Sequence, residues 1–400
     1  MNISFARNVD RYVGIPLCFF LSLVARCARL FRRQELKKPK KIVFLGLTEI
    51  GAGIMAYPSI QKMRSTWKDA NAYLWVFKDN VDFFRATRWF PEDHLIVMRS
   101  DSFLNLATDF FRNLIKLHKL RIDAIVDLEA STRLSSLLCY LSGAAIRIGF
   151  YSQSTRPFYR GQLYTHQVAY DPSRHISRNY HALVRALLSS VPPEAAGYPC
   201  EAGEDLSLPK IRTSTEEDQK LQDKLCELGG FANHDRRLVL VHLGLNDRLP
   251  IRRWPLEYYQ QLMERLLSHP KTIILLVGTG AQRTFSREGM AEPRIINLIG
   301  KTNARELFSL LNRATVLVSH DSGIVHIAAL TDIPTIALFG PETPNVFGPL
   351  SDRKKVLYKN FNCSPCLLVS NYKQSPCRDN QCIRAITADE VYAEVMKVLS

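Results

Sequence analysis

The 400-residue chain has no low-complexity tract and no internal repeat of 20–50 residues, which excludes solenoid and fibrous architectures. It has no simple membrane span. A spanning helix needs about 20 apolar residues, whereas the apolar stretch Val13 to Ala25 is thirteen long and interrupted by Gly14, Pro16 and Ser22. No full Gly-x-Gly-x-x-Gly follows the first strand of either half, which argues against a nicotinamide or flavin oxidoreductase. No Asp-x-Asp occurs, so nothing marks a metal-held diphosphate. Acids are scarce beside bases, 38 against 53, for a net charge of +15 and a pI near 9.4. That excess implies an anionic partner, be it nucleic acid, lipid or phosphorylated substrate. A nucleic-acid role lacks both a recognition motif and an aromatic-basic platform.

The basic excess is partly local. Residues 26–41 carry Arg26, Arg29, Arg32, Arg33, Lys37, Lys38, Lys40 and Lys41 against Glu35 alone. They directly follow the Val13–Ala25 stretch. A cleaved signal peptide would fit the length, but no small-x-small site precedes the basic block. A buried core helix is one alternative. An interfacial anchor over residues 12–31 is favoured, because apolar insertion plus a polybasic flank supplies the two signals that stable attachment needs. Phe19, Phe20, Leu21, Leu23 and Val24 would enter lipid, with the arginines at headgroup phosphates of the cytoplasmic leaflet.

After this segment (residues 1–40), short apolar strands alternate with helical patterns, as βαβ units and parallel sheets require. Strands are expected at 41–46, 72–77, 94–97 and 124–127, with helices at 103–120 and 132–142. A polar stretch follows, and the alternation restarts at 238–243 and runs through strands at 272–277, 295–298, 315–319 and 335–339. The division read from this is a first α/β domain at 41–205, an interdomain region at 206–235 and a second α/β domain at 236–385. A closing helix occupies 386–400. Two Rossmann-like halves would bind ligands outside their strand C-termini.

Three loops carry candidate chemistry. Ser319-His-Asp-Ser-Gly-Ile-Val-His326 passes from a strand end into a helix. Unpaired N–H groups there suit a diphosphate, and Gly323 admits close backbone approach. Asp321 as a plain N-cap is the alternative, and His326 in that helix could be structural. The next strand ends in Phe339-Gly-Pro-Glu-Thr-Pro344, a rigid loop facing the same side. The second loop, Leu243-Gly-Leu-Asn-Asp-Arg248 with Arg252-Arg-Trp-Pro255, offers Gly244 and guanidinium forks at Arg248, Arg252 and Arg253 for phosphate oxygens. The third, Leu47-Thr-Glu-Ile-Gly-Ala-Gly53, has glycines at Gly51 and Gly53 without a P-loop spacing, and one carboxylate, Glu49.

The segments Leu298–Thr302, Val318–His326 and Ala337–Pro344, with Arg253-Trp-Pro255 and Cys363-Ser-Pro-Cys366, resemble glycosyltransferase family 9, the ADP-heptose:lipopolysaccharide heptosyltransferases. The resemblance runs from about residue 41 to the C-terminus and is strongest at 315–344. It implies a GT-B fold of two facing Rossmann-like domains, with the nucleotide-sugar donor on the second and a glycolipid acceptor on the first. By position, Asp321, Ser322, Gly323 and His326 become donor contacts, joined by Gly244, Arg248 and Arg252 of the glycine-arginine loop. Arg252 matches a family lysine that meets the donor phosphates, and Thr302 falls near adenine or ribose. Thr48, Gly51 and Gly53 line the acceptor side. The family's aspartate base corresponds here to Ala52. Glu49, three residues earlier, is the substitute base expected, and Glu49 and Arg252 form the catalytic pair.

The implied activity is metal-independent inverting transfer, with heptose from ADP-heptose to lipopolysaccharide core as the family default, at the cytoplasmic face of a bacterial inner membrane. No cofactor is required for it. The alternative is a catalytically impaired member that binds nucleotide-sugar as a scaffold. Four cysteines, Cys363, Cys366, Cys377 and Cys382, have Cys-x2-Cys-x10-Cys-x4-Cys spacing. A structural zinc site, reduced thiols and a redox pair are all compatible with it.

Overall fold

The computed structural model describes residues 9–31, 38–47, 49–151, 159–189, 204–229, 236–244, 249–280 and 292–400. The expected sites Thr48 and Arg248, and also Arg32, Arg33, Glu35, Lys37 and Cys200, lie outside the described residues. The chain forms two compact units. One is Met1–Leu206 with Val369–Lys373, and the other is Ser207–Leu368 with Gln374–Ser400.

The first unit begins with α1 (Gly14–Phe31). It continues with β1 (Lys41–Leu45), α2 (Ile50–Thr66), β2 (Asn71–Phe77), α3 (Lys78–Thr87), β3 (Leu95–Met98) and α4 (Phe103–Leu120). Next come β4 (Ala124–Asp127), α5 (Arg133–Leu141), β5 (Ile146–Tyr151), β6 (His166–Ala169) and α6 (Ile176–Leu188). The sheet order is β3-β2-β1-β4-β5-β6, and every pair is parallel. A parallel sheet is buried on both faces, so its strands read as continuous apolar runs. Ile42 through Leu45 and Ala124 through Val126 are fully buried on this account. Right-handed crossovers send α2 and α3 to one face and α4 and α5 to the other. α6 packs on α2, whereas α1 and α4 each pack on α5.

Two polar ties hold this unit. Asp127, at the end of β4, accepts from Arg160 at 3.2 Å and from the Tyr164 hydroxyl at 2.5 Å, with all three side chains buried. Asp10 reaches across from the N-terminal segment and caps α5, accepting from the N–H groups of Arg133 (2.8 Å) and Leu134 (2.9 Å). The N-terminal helix is therefore built into the first unit. Its buried stripe is Gly14, Cys18, Ser22 and Ala25. Leu21, expected in lipid, instead packs against Cys18, Leu137 and Leu163, because it lies beside that inward stripe.

The second unit runs α7 (Thr215–Gly229), β7 (Arg237–His242), α8 (Leu256–Leu267), β8 (Thr272–Val277), β9 (Ile295–Asn297) and α9 (Ala304–Arg313). It then continues through β10 (Val316–His320), α10 (Gly323–Ala328), β11 (Thr335–Phe339), α11 (Pro344–Phe347) and β12 (Lys354–Tyr358). α12 (Gln381–Arg384) and α13 (Ala388–Leu399) close it. Its sheet, β12-β11-β10-β7-β8-β9, is again all parallel. Residues 207–229, read from sequence as interdomain, belong to this unit. The N–H of Ile211 donates to Leu330 at 2.7 Å, and α7 packs on α9 through Lys224–Glu306 at 2.7 Å. β5, β6, β12, α3 and α6 had no sequence expectation. β5 is interrupted by Arg147 and Gly149, and only its sheet neighbours make it a strand.

Asp10→Ala removes the cap that ties the N-terminal segment to α5. It should cost about 1 kcal/mol and speed proteolysis within residues 9–31 before global unfolding, as followed by limited digestion and mass spectrometry. Asp109 on α4 is held by Arg99 at 2.9 and 2.8 Å and by Arg112 at 2.8 Å. The hydrogen bonds from Arg99 lower its carboxyl to about 2. A depressed carboxyl stabilises the fold above its ordinary range and loses that contribution as pH falls toward its folded value. Asp109→Asn should therefore cost about 1–3 kcal/mol at neutral pH. The difference from the parent should close between about pH 4 and pH 2 in thermal melts taken across that range.

Candidate functional site

In each sheet the strand order reverses beside its first strand, between β1 and β4 and between β7 and β10. At such a point the connections leave in opposite directions and open a crevice outside the strand C-termini. The sequence-predicted residues fall at these two crevices.

In the second unit, β7 leads through Gly244 to the turn Pro250–Arg252. The Asn380 side chain fixes that turn by donating to the carbonyls of Ile251 (3.1 Å) and Arg253 (3.2 Å). Trp254, fully buried, donates to the Ile386 carbonyl at 2.8 Å. So held, Arg252 places its guanidinium 3.6 Å from the Asp321 carboxylate and 3.8 Å from that of Glu342. These groups come from the loops after β7, β10 and β11, and all three are largely buried. Both separations exceed the 2.7–2.9 Å of a closed charge-assisted hydrogen bond.

Ser322, not Asp321, is the N-cap of α10, and its side chain makes no cap hydrogen bond. Asp321 is therefore an ion-pair partner rather than a helix cap. The Ser322 hydroxyl instead lies 3.1 Å from that of Ser319 and 3.3 Å from Nδ1 of His242. α10 has six residues, so its dipole is short, and the cation nearest its start is Arg252, shared between Asp321 and Glu342. His326 is buried within α10. Gly244 has φ +63°, and a Cβ there would run into the His320 ring, whose Nδ1 is 3.1 Å from the Tyr259 hydroxyl. Thr302 lies half-buried just before α9, at the C-terminal end of β9. Sequence reasoning missed Glu342, His242 and His320. A carboxylate inside the Gly-Pro-Glu-Thr-Pro loop was the signal for Glu342.

The cysteine-bearing segment braces this crevice. The N–H groups of Cys366 and Leu367 both donate to the Pro341 carbonyl at 2.9 Å, and the Ser364 hydroxyl donates to that of Gly340. None of the four cysteines is in a disulfide, and among the described residues no group of three or more His, Cys, Asp or Glu is arranged to hold a metal ion. Of the readings that the spacing left open, a zinc set is the one this arrangement does not provide. Cys363 is exposed, Cys366 accepts from Ser375 at 3.2 Å, Cys377 donates to Asp379 at 3.4 Å, and Cys382 is buried. Burial, with the charge of Cys366 next, pushes the Cys382 thiol up to about 11, so it stays protonated at neutral pH.

In the first unit, Glu49 is the N-cap of α2 and is half exposed, with Lys373 Nζ 3.5 Å away. Lys373 belongs to the downstream segment that joins this unit. Gly51 and Gly53 are not in an open loop but inside the first turns of α2, and a Cβ at Gly53 would strike the Phe84 ring. Across the crevice, Glu129 follows β4 and is buried, its N–H donating to Asp127 at 2.9 Å. Burial raises the Tyr180 phenol well above its ordinary value, and the charges of Glu129 and Glu49 add to that.

A family model, glycosyltransferase family 9 (heptosyltransferase), matches residues 111–375, more than half of the chain. The chain belongs to this family. Among curated proteins, a lipooligosaccharide heptosyltransferase 2 of Haemophilus influenzae is 34% identical over 113 residues, covering 27% of this chain and 33% of that protein. Lipopolysaccharide heptosyltransferase 1 of Pseudomonas aeruginosa is 30% identical over 116 residues, or 29% and 33% of the two chains. The matched stretch thus spans about a third of these relatives' length. Among solved structures, the Escherichia coli ADP-heptose lipopolysaccharide heptosyltransferase II superposes with a TM-score of 0.67 at 18% identity, over 90% of this chain and 98% of that one. A family 9 glycosyltransferase of Veillonella parvula superposes at 0.68 and 18%, over 92% and 98%. At that identity the likeness shows the fold, two parallel-sheet α/β domains of GT-B type.

Gly244→Ala forces a side chain into the His320 ring at a left-handed residue. It should destabilise the protein by about 1–3 kcal/mol and weaken binding of a nucleoside diphosphate. Chemical denaturation and calorimetric titration with ADP would check both effects.

Proposed function

We propose that the protein is an inverting glycosyltransferase that moves a sugar from a nucleoside-diphosphate donor to a lipopolysaccharide-core or related glycolipid acceptor. The observation that carries this reading is Arg252 poised between Asp321 and Glu342 at the strand reversal of the second sheet, in a family 9 chain. Heptose is the sugar by analogy with the curated relatives, which are named heptosyltransferases, and ADP-heptose is the donor that the family resemblance implies. A glycolipid acceptor made on the cytoplasmic side places the enzyme at that face of the inner membrane.

In this mechanism the acceptor hydroxyl oxygen attacks the anomeric carbon from the side opposite the diphosphate. Glu49 accepts the hydroxyl proton, Lys373 orienting the carboxylate at 3.5 Å. The bond from the anomeric carbon to the diphosphate oxygen breaks, and the electron pair leaves with the nucleoside diphosphate. Arg252 then meets more negative charge than in the ground state, and so stabilises the transition state preferentially. Gly244, Ser322, Gly323 and His326 line the donor side, and Thr302 takes the nucleoside end. Arg248 adds a second guanidinium, and Thr48 belongs to the acceptor loop with Glu49. No metal takes part in these steps.

The second reading is a nucleotide-sugar-binding protein without turnover, and it is favoured by Ala52 standing where the family has its aspartate. A thermal-shift screen of ADP-, UDP-, GDP- and dTDP-sugars, followed by mass spectrometry of the product, separates the two. Transfer by the parent chain is the expected result. Donor binding with no product from any glycolipid acceptor would leave the binding-protein reading. Glu49→Gln should lower the transfer rate by about 10²–10⁴-fold and leave donor affinity intact, whereas Arg252→Ala should weaken both.

A further inference from the structure

Exposed apolar side chains are concentrated in two segments of the first unit. Among the described residues, twelve of the fifteen exposed large hydrophobics lie in residues 9–24 and on α4. α1 is turned inside out by the standard of a soluble helix. Its small residues Gly14, Cys18, Ser22 and Ala25 face the protein, and Leu17, Phe20, Leu23 and Val24 face outward. Phe20 is 63% exposed. The inward side is specifically engaged. The Cys18 thiol lies 3.5 Å from the Ser136 hydroxyl, and the Ser22 hydroxyl accepts from the Gln162 N–H at 2.7 Å. The outward display is thus the packed arrangement of α1.

α4 repeats the pattern, which nothing in its sequence had marked. Leu104, Phe111 and Ile115 recur at i, i+7 and i+11, a single outward stripe, and are 71%, 65% and 57% exposed. α4 and α1 both pack on α5. Patches of this extent mark an interaction surface.

Charge decides the occupant. α1 and α5 contain no Asp or Glu, and α4 contains only Asp109, buried beneath Arg99 and Arg112. Asp10, beside α1, is occupied in capping α5. Exposed bases remain, among them Arg26, Arg112 and Lys119. The basic block 26–41 continues from the end of α1. Among the described residues, the one exposed acid of this face is Asp101, at the N-terminal end of α4, where it accepts from Asn105. An apolar face so poor in acids and rimmed by cations complements an anionic bilayer surface. No described helix is long and apolar enough to cross a membrane, so such a face would lie in the lipid interface.

We propose that α4 and α1 together form one docking surface for an anionic lipid bilayer, with α4 as a second, separate contact beside the N-terminal helix. This deepens the proposed function, since it supplies the surface at which a membrane-embedded glycolipid would be met.

Co-sedimentation of the full chain with vesicles of phosphatidylethanolamine and phosphatidylglycerol, against phosphatidylcholine alone, tests it. The parent chain should bind the anionic vesicles, more weakly at high salt, and only weakly the neutral ones. Phe111→Ser with Ile115→Ser, both on the exposed stripe, should lower partitioning at least about tenfold while leaving the melting temperature and ADP binding unchanged. Phe20→Ser with Val24→Ser should do the same from α1. Partitioning of the α4 variant equal to that of the parent would overturn the proposal. So would a parent that ignores vesicles and elutes as a dimer that the α4 variant dissociates, since the occupant would then be a second copy. Vesicle binding without binding of any nucleotide-sugar would sink the proposed enzyme and leave the surface standing.

Discussion

Parallel strand pairing imposes the arrangement on which the other features depend. Each strand must be followed by a crossover, so all C-terminal strand ends gather at one edge of the sheet. Where the order reverses, between β1 and β4 and between β7 and β10, neighbouring loops diverge and leave backbone and side chains facing a crevice. Glu49 and Glu129 reach one crevice, and Gly244, Arg252 and Asp321 reach the other. In both sheets the central strands are buried on both faces, which makes the scaffold stiff and leaves chemistry to the loops.

The polar interior of each unit serves this edge. Asp127 ends β4 with its carboxylate committed to Arg160, Tyr164 and the Glu129 N–H, so it fixes the loop bearing Glu129. In the second unit the C-terminal tail does comparable work. Asn380, Ile386, Ser364 and Cys366 each hold a loop that carries Arg252 or Glu342. A tail that looked like a metal-binding appendage is a brace, made through backbone hydrogen bonds that cysteine spacing does not reveal.

Much of the architecture was legible. Apolar runs such as Thr272–Val277 and Thr335–Phe339 are strands at the expected residues, because burial on both faces leaves an unambiguous run. The helix at Phe103–Leu120 was equally plain from its periodicity. β5 and β12 were not legible. Arg147 and Gly149 interrupt one, Lys354 and Lys355 open the other, and strand identity there comes from the neighbour's hydrogen bonds. At the site, the Ser-His-Asp-Ser-Gly turn was found from its position between strand and helix. Glu342 and Glu129 were passed over, since a single carboxylate in a loop has no periodic signature.

The sequence alone determined the two α/β halves, the family and the loops that bear Arg252, Asp321 and Glu49, because these follow from local hydrophobic period and short contiguous motifs. Only the tertiary structure decided what those residues face. It paired Arg252 with two carboxylates from different loops and brought Lys373 from the far end of the chain to Glu49. It also kept the four cysteines from forming a coordination set. The outward faces of α1 and α4 belong with these. An apolar helix reads the same whether its large side chains turn inward or outward, and only its packing partners fix which.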